Sequence, residues 1–390
     1  MPRRAAAMKG LAAFAVVLVA VVVTTAARGG HEFPVYPGYY PHEIRIETIP
    51  PEQAAGLLLQ NKIQAYIGPE PQFAGAVPES LRAVESLGSF VIVRVNPQSP
   101  LARTEASACA ATRAVIRDIA KRRGDWMFHP YPVTPLHGDY LYHVDLAEAA
   151  KTRLASNAAD TSAPLVRSLR VRAVSALARS LVRPDWVTQR PEWDVAVEEA
   201  SAADLVAAST MAINGWLGPA AVRTGWFQAA LLLASSVDDA GTRERVQADL
   251  RRLETGAYKG AVERINLERE LVAALAAGCR ASVAGYTLKR EYVSIEYSAG
   301  IENIGFDSIS GLNSPIFIRT VKLKDFPWNG WLSLGIDSRP ASAWNPVAGF
   351  TDAFGRLMWS AVGDPALIPS PNDAGWMLNR ISDVQAIPVR

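Results

Sequence analysis

Hydrophobic and polar positions along the chain divide it into three kinds of stretch. The first is an uncharged run from Gly10 to Ala27, mostly Ala, Val and Leu, with Arg3, Arg4 and Lys9 before it and Arg28 after it. At about 1.5 Å per helical residue it spans roughly 27 Å, close to the thickness of a bilayer core. Next, Ile44 and Ile46 alternate with Arg45 and Glu47, the period of a half-buried strand. Pro51 to Gln60 reads as a helix, Ile63 to Ile67 as a strand, Pro78 to Leu87 as a helix and Phe90 to Val95 as a strand. This alternation predicts a parallel or mixed sheet with helical crossovers.

The third stretch is mainly helical in period. Helices are expected over Thr104–Arg122, Asp145–Leu154, Leu165–Leu181, Ala203–Ile213, Pro219–Ser235, Thr242–Thr255 and Gly260–Ala277. A short strand is expected at Trp193–Val197. Thr242 is the expected N-cap of its helix, and Gly256 stands where a C′ glycine belongs. Strand patterns return at Tyr292–Tyr297 and Pro315–Leu323, and regular structure is expected to fade from Asp325.

Together these predict a mixed α+β chain. Its parts are a signal anchor or signal peptide (1–28), a Pro- and Tyr-rich linker (29–42) and a small α/β domain with β-α-β units (43–100). A mostly helical domain (101–285) and a strand-containing, irregular, Trp-rich C-terminal region (286–390) follow. The segment Leu57 to Gly68 resembles the β-α-β units of type II periplasmic solute-binding proteins. That resemblance covers about 60 residues, rests on pattern alone and implies fold, not function.

The basic flank ahead of the uncharged run places the rest of the chain outside the cytoplasm. The expectation is a single-pass protein of a bacterial inner membrane with its bulk in the periplasm, or a periplasmic protein after signal cleavage. A net charge of +2 over 390 residues is too small to imply a nucleic-acid partner. Two cysteines, Cys109 and Cys279, are too few for a disulfide scaffold, and the sequence leaves open one bridge or two buried thiols. Walker, GxGxxG, GxSxG and CxxCH motifs are missing, which argues against nucleotide enzymes, α/β-hydrolases and c-type cytochromes.

Two places carry candidate chemistry. The loop from Gly124 to Asp145 holds His129, His137 and His143, and it repeats His-x-Asp at His137–Asp139 and His143–Asp145. Imidazole with carboxylate suits a divalent transition metal, so His137, Asp139 and His143 are the candidate ligands. Ordinary loop packing is the competing reading. The tail places five of the ten tryptophans between Trp328 and Trp376. Trp328, Asn329, Trp331, Trp344 and Asn345 fit a ligand-binding wall in which rings stack and amides orient. The same aromatics make the tail an expected integral part of the fold, with Trp331 contributing strongly.

The function these features predict is a membrane-anchored or exported envelope binding or accessory protein, with a small-molecule ligand or an envelope protein as partner. A metal-dependent extracytoplasmic enzyme using the His129–Asp145 loop and a structural subunit of a membrane complex are the alternatives.

Overall fold

The computed structural model describes residues 38–156, 169–208, 220–298, 300–341, 350, 352–363, 365–371, 373 and 375–383. The run Gly10–Ala27 and most of the linker lie outside them, as do Trp344 and Asn345. No helix among the described residues is long and apolar enough to cross a membrane.

The chain opens with β1 (Pro41–Thr48), α1 (Pro51–Leu59) and β2 (Ala65–Ile67). Pro51 occupies the first turn of α1, where its missing N–H has no partner to lose. Then comes β3 (Leu81–Val95), a single 15-residue strand. It replaces the expected Pro78–Leu87 helix. Leu81, Val84 and Leu87 recur at helical spacing, but pairing with a distant strand decides the conformation. Next are α2 (Glu105–Ile119), capped by Thr104, then β4 (Met127–Phe128), α3 (Val144–Ser156), β5 (Val171–Ala173) and α4 (Ala176–Leu181). Over its described part, the expected Leu165–Leu181 helix is therefore a strand and a short helix.

After β6 (Val195–Ser201) run α5 (Ala202–Ala208), α6 (Gly225–Leu233), α7 (Ala240–Thr255) and α8 (Ala261–Ala277). The N-cap of α7 is Asp239, which accepts from the Thr242 N–H at 2.7 Å, so Thr242 sits inside the helix. Gly256 ends it at φ 69°, a left-handed conformation that favours glycine. The remainder is β7 (Ala281–Ser294), β8 (Ile301–Asn303), α9 (Pro315–Thr320), β9 (Lys322–Leu323), β10 (Gly330–Ile336), α10 (Ala353–Val362), β11 (Leu367–Pro369) and β12 (Trp376–Leu378). Pro315 starts a helical turn and does not begin a strand. The region after Asp325 is not irregular: β10 and α10 both lie in it.

Eight strands form one mixed sheet in the order β1-β10-β2-β7-β3-β6-β5, with β4 beside β7. Strands β1, β10 and β2 are parallel, β2, β7, β3 and β6 are mutually antiparallel neighbours, and β5 is parallel to β6. The chain is thus a mixed α/β fold built on a large mixed sheet. The long pair β3–β7 joins its two ends. Around Val84 and Val293 the sheet is covered by α9 and α10 on one face and by α1 on the other. From Phe90 to Val95, α6, α7 and α8 cover one face and α2 and α4 the other. The register shifts between Leu87 and Phe90, at Gly88. A Cβ there would come within 2.6 Å of Thr287 Oγ1 and 3.1 Å of the β7 backbone, so any side chain would press the two strands apart or displace Thr287.

Candidate functional site

The histidine loop is pinned at its start by β4, which pairs with Tyr286 and Gly285 of β7. Beyond it, each candidate ligand turns to a protein partner. His129 Nε2 donates to the Val133 carbonyl at 2.8 Å. His137 Nδ1 accepts from the Thr134 N–H at 2.9 Å, and its Nε2 lies 3.1 Å from Gln228 Oε1 on α6. The Asp139 carboxylate accepts from the N–H groups of Gly225 and Trp226 at 2.8 and 3.2 Å, capping α6 from 86 residues away. His143 Nδ1 lies 3.0 Å from the Tyr131 hydroxyl, while its buried Nε2 has no partner. So the fold brings His137 and Asp139 to the same helix start, with His143 behind them, but separate groups hold them. Among the described residues, the three potential metal-binding groups with ligand atoms within 4.8 Å of one another are Glu105, Cys109 and Cys279. There the sulfurs are already bonded to each other.

Burial sets the electrostatics of this loop. It lowers the pKa values of His129 and His137, and it brings His143 down to about 4. Glu268, 1% exposed and 2.6 Å from Arg264, is pushed up to about 7 by burial. Unfolding exposes His143 to protonation near its ordinary value of 6.5. The unfolded chain therefore binds more protons between about pH 6.5 and 4, and stability falls as pH falls through that window. Glu268 acts oppositely, losing stability as pH rises from its ordinary 4.5 towards 7. The histidine effect alone is on the order of 2 kcal/mol at pH 5. We expect His143→Gln to reduce the loss of unfolding free energy between pH 7 and pH 5 by about that amount. Identical pH slopes for the two proteins in urea titrations would contradict this assignment.

In the tail, Trp328 and Trp331 are exposed. The Arg45 guanidinium of β1 lies 4.2 Å from the Trp331 ring, and Lys322 lies 5.0 Å from the Tyr40 ring. Asn329 takes φ 55° in the turn that leads into β10. Trp331 and Arg45 lie on the paired strands β10 and β1 at one edge of the main sheet, with Trp328 and Asn329 in the turn before β10.

Cys109 and Cys279 form a disulfide with Cα atoms 4.8 Å apart, tying α2 to the segment before β7. Thr112 Oγ1 donates to the Cys279 carbonyl at 2.8 Å, and the Cys279 N–H donates to Glu105 Oε1 at 3.1 Å. Beside this junction a cavity of about 140 Å³ opens between α2, α3, the end of α8 and the start of β7. Its walls include Ile116, Leu154, Leu233 and Val283, with Arg113 and Arg153 as its cationic members. The sequence reading missed it. Arg113 stands in the expected Thr104–Arg122 helix, but the lining residues come from five elements and a loop, and no local spacing connects them.

A second feature missed by the sequence reading is a clasp at the middle of the sheet. Arg223 donates to Asp307 at 2.6 Å and to the Ser370 carbonyl, tying the turn before α6 to the C-terminal segment. Nearby, buried Glu291 accepts from the Leu312 N–H and from Lys289, each at 2.7 Å.

No family model matches the chain, and no curated protein does. Solved structures do. The oligopeptide-binding protein AppA of Bacillus subtilis, in complex with a nonapeptide, is 13% identical with a TM-score of 0.36, over 70% of this chain and 59% of that one. Clavulanic acid biosynthesis oligopeptide binding protein 2 is 12% identical with a TM-score of 0.39, over 71% and 55%. NikZ of Campylobacter jejuni, in complex with Ni(L-His), is 14% identical with a TM-score of 0.34, over 65% and 56%. The chain spans under two thirds of the length of each of these proteins. At these values the likeness bears on neither ligand nor activity.

Proposed function

We propose that this chain is an exported or membrane-anchored protein of a bacterial cell envelope that works by binding a small molecule, as a binding or accessory component. The observation that carries the reading is the disulfide. The chain's two cysteines lie 170 residues apart and meet beside a cavity, and such bridges persist in oxidising compartments. The basic-flanked uncharged run at Gly10–Ala27 supports the same compartment, with that segment as the contact to the membrane. A binding role is favoured over a metal-dependent enzyme because His137 and Asp139 are spent on Gln228 and on the start of α6. On this reading they key the loop to the helix. The exposed Trp328–Trp331 edge then serves an envelope partner.

The test is a thermal-shift screen of the oxidised full-length protein against metabolite classes. A ligand present at 100 times its Kd stabilises the folded state by about 2.7 kcal/mol, which raises the melting temperature. At least one class should give a saturable rise. No saturable rise with any class would sink the binding reading, and chemical turnover of a compound that gives one would replace it with an enzyme.

A further inference from the structure

We infer that the cavity beside the disulfide binds a short organic monocarboxylate, with the carboxylate at Arg113 and the apolar body against Ile116, Leu233 and Val283. This rests on the binding role proposed for the chain and names the ligand class for it.

Size comes first. Apolar cavities of about 150 Å³ accept a molecule the size of benzene, and this one measures about 140 Å³. That admits a branched chain of a few carbons. Polarity comes next. Much of the wall is aliphatic or proline, including Pro130 and Pro132. Two guanidiniums and no carboxylate line it. Arg113 lies one helical turn beyond Cys109 on α2 and is only partly exposed. Among the described residues no carboxylate pairs with it. A planar guanidinium in that setting matches a carboxylate through two parallel N–H donors. Arg153, on α3 at the exposed rim, adds positive potential that attracts anions to the mouth.

Orientation follows from the opposite rim, where Ala276, Ala277 and Gly278 end α8. The free carbonyls of a helix C-terminus carry partial negative charge and repel a carboxylate, leaving the Arg113 side for it. Glu105 does not compete for Arg113, because it accepts from the Cys279 N–H. The disulfide joins α2 to the wall that Cys279 supplies, so the cavity is held in shape before the ligand arrives.

The experiment uses the oxidised full-length protein in mild detergent, titrated by calorimetry and ligand-observed NMR with isovalerate, its neutral isostere isovaleramide, and isobutylamine. Isovalerate should saturate at one site, and both comparison compounds should bind at least tenfold more weakly. Arg113→Met keeps an unbranched apolar stem without the charge and should weaken isovalerate at least tenfold, while Arg113→Lys should retain part of the affinity. Ala277→Trp, at an exposed rim position, should block the mouth and abolish binding with the melting temperature preserved. Isovaleramide or isobutylamine binding as tightly as isovalerate would overturn the proposal. So would unchanged isovalerate binding in both Arg113→Met and Ala277→Trp, or no isovalerate binding at all. If isovalerate fails while another class gives saturable shifts in the thermal screen, the carboxylate assignment falls and the binding role stands.

Discussion

A chain ending at Lys324 is expected not to fold. It loses β10, which lies between β1 and β2 and is the strand on which β1 pairs, from Pro41↔Gly330 to Thr48↔Ile336. Leu332, Leu334 and Ile336 of that strand are fully buried beneath α9 and α10. Burying each such side chain contributes about 1.5–3 kcal/mol, so the three together supply roughly 5–9 kcal/mol. Net stabilities of whole domains are about 5–15 kcal/mol. The tail is therefore integral, for a reason different from the one its tryptophans suggest. Trp331 is 53% exposed, and its Arg45 contact is of the solvent-facing kind worth about 0.5–1 kcal/mol. Trp331→Ala should cost less than about 1 kcal/mol, and Leu334→Ala about 2–5 kcal/mol. Soluble yield and urea melts of the three proteins decide it. Cooperative unfolding of the truncated chain at the full-length midpoint would contradict the placement of β10 between β1 and β2.

Replacing both cysteines by serine should lower unfolding free energy by about 2–5 kcal/mol. The bridge closes a loop of 170 residues, for which the chain-entropy model gives about 5 kcal/mol, the denatured state being the one constrained. Native contacts at the junction set where in that range the value falls. Thr112 and Glu105 still hold the Cys279 backbone after the sulfurs are gone, so part of the local geometry survives. Guanidinium melts of the oxidised and Cys109→Ser, Cys279→Ser proteins measure the difference. A change below about 0.5 kcal/mol would mean that the denatured chain already holds these segments together.

The parts legible from sequence are those whose signals are local. The alternation at Ile44 and Ile46, Pro51 and Thr104 at helix starts and Gly256 past a helix end each lie within one turn of the structure they specify. Misread parts depend on partners far along the chain. Residues 81–87 carry a spacing that suits either a helix or a strand, and β7, some 200 residues later, settles it. In β10 two glycines and Trp331 obscure a strand buried by parallel neighbours on both sides. The histidine loop shows the same limit. His137 and Asp139 look like ligands because the groups they bind, Gln228 and the first N–H groups of α6, are about 90 residues away. The cavity was invisible for this reason too, its walls being drawn from α2, α3, α6, α8 and β7.

The central claim is that this protein folds and binds its ligand outside the cytoplasm, with Cys109 and Cys279 joined. The most direct test denatures whole cells producing the full chain in an alkylating agent, without reductant, and weighs the recovered protein. The expected result is no alkylated cysteine, and two after prior reduction. Two alkylated cysteines without reduction would contradict it.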